Sequence, residues 1–233
     1  MPSMSASVDR LDPPWAIRPI VRRYHRVERT VSWLLTLSVG AVAVTAILSF
    51  PFLVGVVAAL GLLVLMRLPL VRRRGNTRLE TDADPETVRA EFESTTPPIL
   101  VFQWGLVDAD DVTVEDRTDG RVVEYDVSYL FGLRSVTMRV EAADHPSGDS
   151  DAVNTDDIDE LELLVTVDGA RWASYTVAIG REDGQTIVDV AWTTDNRVDI
   201  RQLLQGLVAR RYYPAALAAL GYETVLRDGS WSL

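Results

Sequence analysis

Cysteine and lysine are both absent from this 233-residue chain, and histidine occurs only as His25 and His145. Without cysteine there can be no disulfide, no thiol nucleophile and no thiolate metal site. Two histidines far apart in sequence, with no cysteine to join them, do not assemble an ordinary zinc site, so neither a metal nor a cofactor is expected. The loops that mark common enzymes are missing as well. No Gly-rich phosphate loop leads into a helix, there is no G-x-S-x-G elbow, and no carboxylate pair is singled out by its spacing. No catalytic residue is therefore nominated.

Because lysine is absent, all 23 basic residues are arginine, set against 34 acids. The two signs are unevenly placed. Residues 1–74 carry 3 acids and 10 Arg, whereas Gly75 onward carries 31 acids and 13 Arg, a net charge of −18. This acidic, Lys-poor pattern is similar to that of proteins from extreme halophiles, whose excess charge keeps them hydrated, so the acidity reports solvent rather than a cationic partner.

What is present in abundance is apolar sequence between Val31 and Leu70. Residues 31–50 hold no charge and, at about 1.5 Å per residue, reach the roughly 30 Å of a bilayer core. Residues 52–70 are interrupted only by Arg67, near one end, where it can snorkel to the interface. Pro51 separates the two runs and disfavours helix at Phe50, so a two-helix transmembrane hairpin with a minimal outer loop is predicted. Arginines crowd both flanks: Arg18, Arg22, Arg23, Arg26 and Arg29 before it, and Arg72, Arg73 and Arg74 after it. Positive flanks stay inside, which predicts a two-span protein of the cell membrane with both termini and the soluble part cytoplasmic. A cleaved signal peptide is the poorer reading, since no small-residue cleavage site follows the first run and a second begins at once. The Arg clusters are topogenic and contact anionic headgroups; no nucleic-acid partner is expected. The expected organisation is a polar, Arg-rich segment over 1–30, the hairpin over 31–70, a basic linker over 71–76 and one soluble domain over 77–233.

Within that domain, Thr77 to Thr81 predicts a strand. Asp84-Pro85-Glu86 then supplies an N-cap, a Pro at the first helical position and an acid in the first turn, for a helix to about Glu93. Residues 99–106 are too short a run to choose between helix and strand. Alternation then marks strands at Val112–Glu115, Arg121–Leu130 and Ser135–Glu141, and, after an acidic loop at 145–159, at Leu161–Asp168, Trp172–Gly180 and Gln185–Asp195. The acids of that loop lack calcium-loop spacing and read as solvated. Trp172 and Trp192 read as packing residues. Asp199 with Gln202 three residues on starts the longest soluble helix, which Pro214 is expected to kink and Gly221 to stop. The tail Tyr222–Leu226 can pair as a short strand, and the last six residues carry no pattern.

Strand, helix, several antiparallel strands and a long C-terminal helix, carried by RLETDADPETVRAEFES and DIRQLLQGLVARRYYPAALAALGY, resemble the START-like helix-grip domains of the polyketide cyclase and lipid-transport superfamily. That resemblance spans Thr77 to about Gly221. It implies an α+β fold: a curved antiparallel β-sheet around the long C-terminal α-helix, with an apolar cavity between them that in relatives holds lipids or other hydrophobic molecules. The family has no universal catalytic residue to carry over, and the hairpin is not part of it.

From alternation and the helical stripe, the cavity walls are expected to be Val123, Tyr125, Val127, Val136, Met138, Val188, Val190 and Trp192 from strands, with Leu203, Leu204 and Leu207 from the helix. Arg210, Arg211, Tyr212 and Tyr213, beside Pro214, are candidates for headgroup contact. Three functions stay open: a membrane-anchored binding domain for a hydrophobic or lipid-like ligand, a non-catalytic interaction module with a protein partner in a membrane complex, and a cyclase-like enzyme on an aromatic or polyketide-like substrate. The last requires a polar group with a shifted pKa buried in the cavity.

Overall fold

The computed structural model describes residues 16–69, 71–104, 107, 111–117, 120–129, 134–144, 159–195 and 197–232. Helix α1 (Arg18–Ser49) is 32 residues long, and it is the one described helix long and apolar enough to cross a membrane. It begins well before residue 31 because the Arg-rich lead is itself helical. Its first turns bury Val21 and Tyr24, preceded by the buried Ile17, against the rest of the protein. The helix ends at Phe50, where the extended backbone before Pro51 prevents continuation. Helix α2 (Phe52–Arg67) is shorter, at 16 residues, and packs on α1 through the small residues Gly55 and Ala59.

The expected basic linker over 71–76 is not one. Strand β1 (Arg72–Thr81) already starts there, and an isolated bridge joins Val71 to Val198. Helix α3 (Pro85–Phe92) follows, with the Asp84 carboxylate accepting the Thr87 N–H at 2.9 Å, and it buries Val88 and Phe92. Residues 98–104, left undecided by periodicity, form a 3₁₀ turn (Pro98–Leu100) and the short helix α4 (Val101–Trp104). Trp104 is buried there with its indole N–H donating to the Pro97 carbonyl at 3.0 Å.

Six further strands, β2 (Val112–Arg117), β3 (Gly120–Tyr129), β4 (Arg134–Asp144), β5 (Asp159–Val167), β6 (Ala170–Glu182) and β7 (Gln185–Thr194), precede helix α5 (Ile200–Ala219) and strand β8 (Glu223–Ser232). All eight strands lie in one antiparallel sheet, in the order β2-β3-β4-β5-β6-β7-β1-β8. The turns Asp168-Gly169 and Asp183-Gly184 have positive φ at both residues, the backbone that suits tight hairpins between twisted strands. The tail is longer than expected: β8 runs to Ser232 and pairs with all but the last residue of β1. The predicted acidic loop falls almost entirely outside the described residues, as does His145.

One face of the sheet is apolar. Leu79, Val123, Tyr125, Val140, Leu161, Leu163, Val165, Val177, Ile179, Val188 and Val190 all point to it and are buried. Helix α5 lies against this face, and the first turns of α1 lie against α5. The helix runs unbroken through Pro214. Its packed residues form two stripes. Ala209, Tyr213, Ala216, Leu217 and Leu220 serve the core, while Gln205 and Tyr212 meet α1 through Glu28 (2.7 Å) and Tyr24 (ring centroids 6.3 Å apart).

The start of α5 is fixed by a capping box: the Asp199 carboxylate accepts the Gln202 N–H at 2.8 Å and the Gln202 side-chain oxygen accepts the Asp199 N–H at 3.3 Å. Asp199→Ala should lower stability by about 1 kcal/mol, measured by chemical denaturation, and Asp199→Ser should recover most of it. An unchanged midpoint in Asp199→Ala would mean that packing alone sets this helix start.

Candidate functional site

Between the sheet, α5, α4 and α1 lies a cavity of about 160 Å³. Its floor is the inner face of three adjacent strands, through Tyr175 on β6, Val190 and Trp192 on β7, and Thr77 and Leu79 on β1, with Trp172 at the β6 edge. The register explains this grouping, since Tyr175 pairs with Trp192 and Val190 with Thr77. The roof is α5 through Gly206, Ala209 and Tyr213, and one side is closed by Ile99, Phe102 and Tyr24. Tyr24 stacks on Phe102 with centroids 4.1 Å apart, so the first turns of α1 are a wall of the cavity.

Two guanidinium groups enter this apolar space from adjacent strands, Arg73 on β1 and Arg227 on β8. Arg227 lies over the Tyr213 ring, 4.2 Å from its centroid, and Arg73 lies 5.7 Å from the Trp192 centroid. Arg73 also packs directly beneath Gly206, where a Cβ would meet its guanidinium at 2.1 Å. Burial pulls the pKa of both below the usual arginine range, and repulsion from nearby Arg210 adds to the shift. Arg210 reaches them across a recess of about 30 Å³ beside the cavity. No carboxylate belongs to the cavity wall among the described residues.

Tyr175 and Tyr213 also face the cavity, and removal from water raises both phenol pKa values, Tyr175 to about 12. The Tyr213 hydroxyl donates to the Ile99 carbonyl at 2.8 Å. Neither phenol serves as a base near neutral pH.

Of the wall residues expected from sequence, Val190 and Trp192 stand on the cavity. Tyr125, Val123, Met138 and Val188 are buried in the core away from it, and Tyr125 donates to the Thr95 carbonyl at 2.8 Å. Val136 is half-buried, and Val127 pairs with it in the β3–β4 ladder, its side chain lying outside the described residues. Leu203 and Leu204 are half-buried on α5 outside the cavity wall. The expectation for Leu207 is corrected: it is 53% exposed, because the side of α5 facing the sheet carries Gly206, Ala209 and Tyr213 instead. The cluster Arg210 to Tyr213 is also divided by helical geometry. Tyr213 enters the cavity, Arg210 borders the recess, Tyr212 faces α1, and Arg211 is exposed.

Sequence reasoning missed Arg73, Arg227, Tyr24, Phe102, Trp172, Tyr175, Gly206 and Ala209. The signal for Arg73 was there: Arg73, Gly75, Thr77 and Leu79 continue one period-two face outward from the buried Leu79. A larger concavity of about 510 Å³ lies on the opposite face of the sheet, but it is open and lined mainly by Ser, Thr, Asn and Gly.

No family model matches the chain, and no curated protein matches it. Among solved structures it is similar to Ara h 8.0201, with 10% identity over 64% of this chain and 98% of that one and a TM-score of 0.40. It is similar also to Mll3558 from Rhizobium loti, with 13% identity over 64% and 98% and a TM-score of 0.36. A third likeness, to the siderocalin Ex-FABP, described as functioning through dual ligand specificities, has 10% identity over 71% and 95% and a TM-score of 0.18. Likenesses this distant carry nothing about ligand or activity, and the geometry above stands without them.

The raised Tyr175 pKa has a stability consequence. An unfolded phenol releases its proton near 10.0 while the folded one holds it to about 12, so stability should fall as pH rises across that window. Denaturation midpoints between pH 9 and 12 should show a shallower decline in Tyr175→Phe than in the unaltered chain; parallel declines would show that this phenol is not kept from water.

Proposed function

We propose that the chain is a membrane-tethered START-like domain that binds a hydrophobic, lipid-like molecule in the cavity under α5. The observation that carries this reading is the cavity itself, an aromatic and aliphatic space left open where Gly206 and Ala209 oppose Tyr175, Val190 and Trp192. Small residues on a helix directly above large ones on a sheet leave space that a larger helix residue would fill. Its volume is below the roughly 300–1,000 Å³ of drug-sized sites and close to that of a cavity that holds a benzene-sized molecule, which suits a short-chain ligand or one end of a longer one.

Tethering is supported by the surface of α1 and α2. Trp33, Leu34, Leu37, Leu48, Phe52, Leu53 and Val57 are among many large apolar side chains left more than half exposed there, far more than water tolerates in a contiguous patch. The reading is a two-span hairpin with Arg-flanked ends and a cytoplasmic domain. Because the chain has no cysteine, Ser135→Cys on an exposed site of β4 gives a single reporter. It should resist an impermeant thiol reagent in intact cells and react after lysis; labelling of intact cells would reverse the orientation.

The interaction-module reading has one observation in its favour, that the β3–β4 side of the sheet is filled by Tyr125 and Met138 rather than open. The cyclase reading lacks a suitable base, since both cavity phenols are shifted upward. Ala209→Trp separates the first two. If the cavity holds a ligand, the full chain should co-purify with lipid detectable by mass spectrometry. The substitution should then remove it, at a stability cost no larger than the roughly 1–3 kcal/mol usual for overpacking. A chain that carries no lipid and binds no fluorescent lipid analogue would favour the interaction module.

A further inference from the structure

The ligand's chemistry can be taken further, on the footing of that reading, from the charges inside the cavity. The region from Gly75 onward is strongly acidic, yet the described side chains that line this cavity include two arginines and no carboxylate. Buried charges in proteins are ordinarily paired, because removing an ion from water without a partner is costly. Arg227 faces the Tyr213 ring, which attracts a cation but does not accept its N–H groups in the plane of the guanidinium, and Arg73 faces Trp192. The Nη1 of Arg227 is buried and meets no hydrogen-bond acceptor among the described residues. Arg210, exposed on α5, is close enough to both to repel them, so three positive groups converge where the cavity opens into the adjoining recess.

We propose that the cavity binds a single-chain amphiphile with an anionic head group, a carboxylate or a phosphate. Arg227 and Arg73 hold the head group, Arg210 stands at the entrance, and the chain lies under Ala209 against Trp172 and Val190. A carboxylate or phosphate oxygen supplies Arg227 with the in-plane acceptor that the Tyr213 ring cannot, and a guanidinium fork suits both geometries. The volume of about 160 Å³ is that of a benzene-sized guest, so it encloses one short chain of about six carbons. The apolar walls lie on the β6 and β7 side, and the positive groups on the β1 and β8 side, so the two ends of such a molecule meet different surfaces.

The test uses the full chain in a neutral detergent and native mass spectrometry with four probes that share one short chain: hexanoate, hexyl phosphate, hexanol and hexyltrimethylammonium. The anions should bind roughly tenfold or more tightly than the alcohol, as charge-assisted hydrogen bonds require, and the ammonium most weakly. Whichever anion leads identifies the head group, and either order supports the proposal. Arg227→Gln should bring the anions to the level of the alcohol. Arg78→Gln, on the outer face of β1 where Arg78 pairs with Glu182, should leave the preference intact. Equal binding of anion and alcohol, or a preference that survives Arg227→Gln, overturns the head-group assignment while leaving the hydrophobic-ligand reading standing. Binding of none of the four overturns both. If Arg227→Gln does not fold, the probe series on the unaltered chain decides alone.

Discussion

Helix α5 is packed on two opposite sides, by the apolar face of the sheet and by the first turns of α1, and the interior takes its shape from that double contact. At its C-terminal end the helix presents Ala216 and Leu217, fully buried, and Tyr222 beyond it stands edge-on to Phe92 of α3. That end is closed. At its N-terminal half the residues facing the sheet are Gly206 and Ala209, which cannot reach the strands below. A dense protein interior does not leave such a gap by default, since each missing contact forfeits dispersion energy. The gap is bounded by large rings rather than filled by them: Tyr24, Phe102, Trp172, Tyr175, Trp192 and Tyr213 surround it.

The same small residues explain how two arginines can stay inside. Arg73 fits because Gly206 has no side chain above it, and Gly75 keeps β1 close to β8 and Trp192, where a Cβ would fall 2.3 Å from the Asp228 carbonyl oxygen. With both glycines in place the guanidinium lies between a helix backbone and an aromatic ring. The stem of each arginine is apolar and packs well there; the charge is the costly part. Cation–π contact offsets some of that cost, and burial still holds the pKa of both groups down.

Most of the architecture was legible in the sequence because strands buried on one face must alternate. Val123 and Tyr125, Val188 and Val190, and the paired Asp-Gly turns carried enough signal to place β3, β6 and β7 and their hairpins. The capping residues Asp84 and Asp199 located the starts of α3 and α5. The cavity was harder to read, for two physical reasons. A helix with partners on both sides shows a broad apolar distribution, so a single stripe through Leu203, Leu204 and Leu207 pointed away from the sheet. The glycine and alanine that make the void are invisible to any search for apolar bulk. The arginine run 72–74 misled differently. Three like residues have no alternation of their own, and a topogenic role next to an apolar helix was a sufficient explanation, although Arg73 points inward and its two neighbours are exposed.

The placement of Arg73 and Tyr24 bears on where the functional unit begins. Strand β1 starts five residues after α2 ends, and its first residues pair with β7 and β8. A domain cut at Gly75 would lose Arg73 and the partners of the last residues of β8. A domain cut anywhere after α2 would lose Tyr24, and with it the contacts to Phe102 and Tyr212 that close the cavity beside α5. The long apolar helix is therefore more than an attachment preceding a finished domain. Its first turns are part of the wall, so the cavity has its full boundary only when the helix that precedes the sheet is in place.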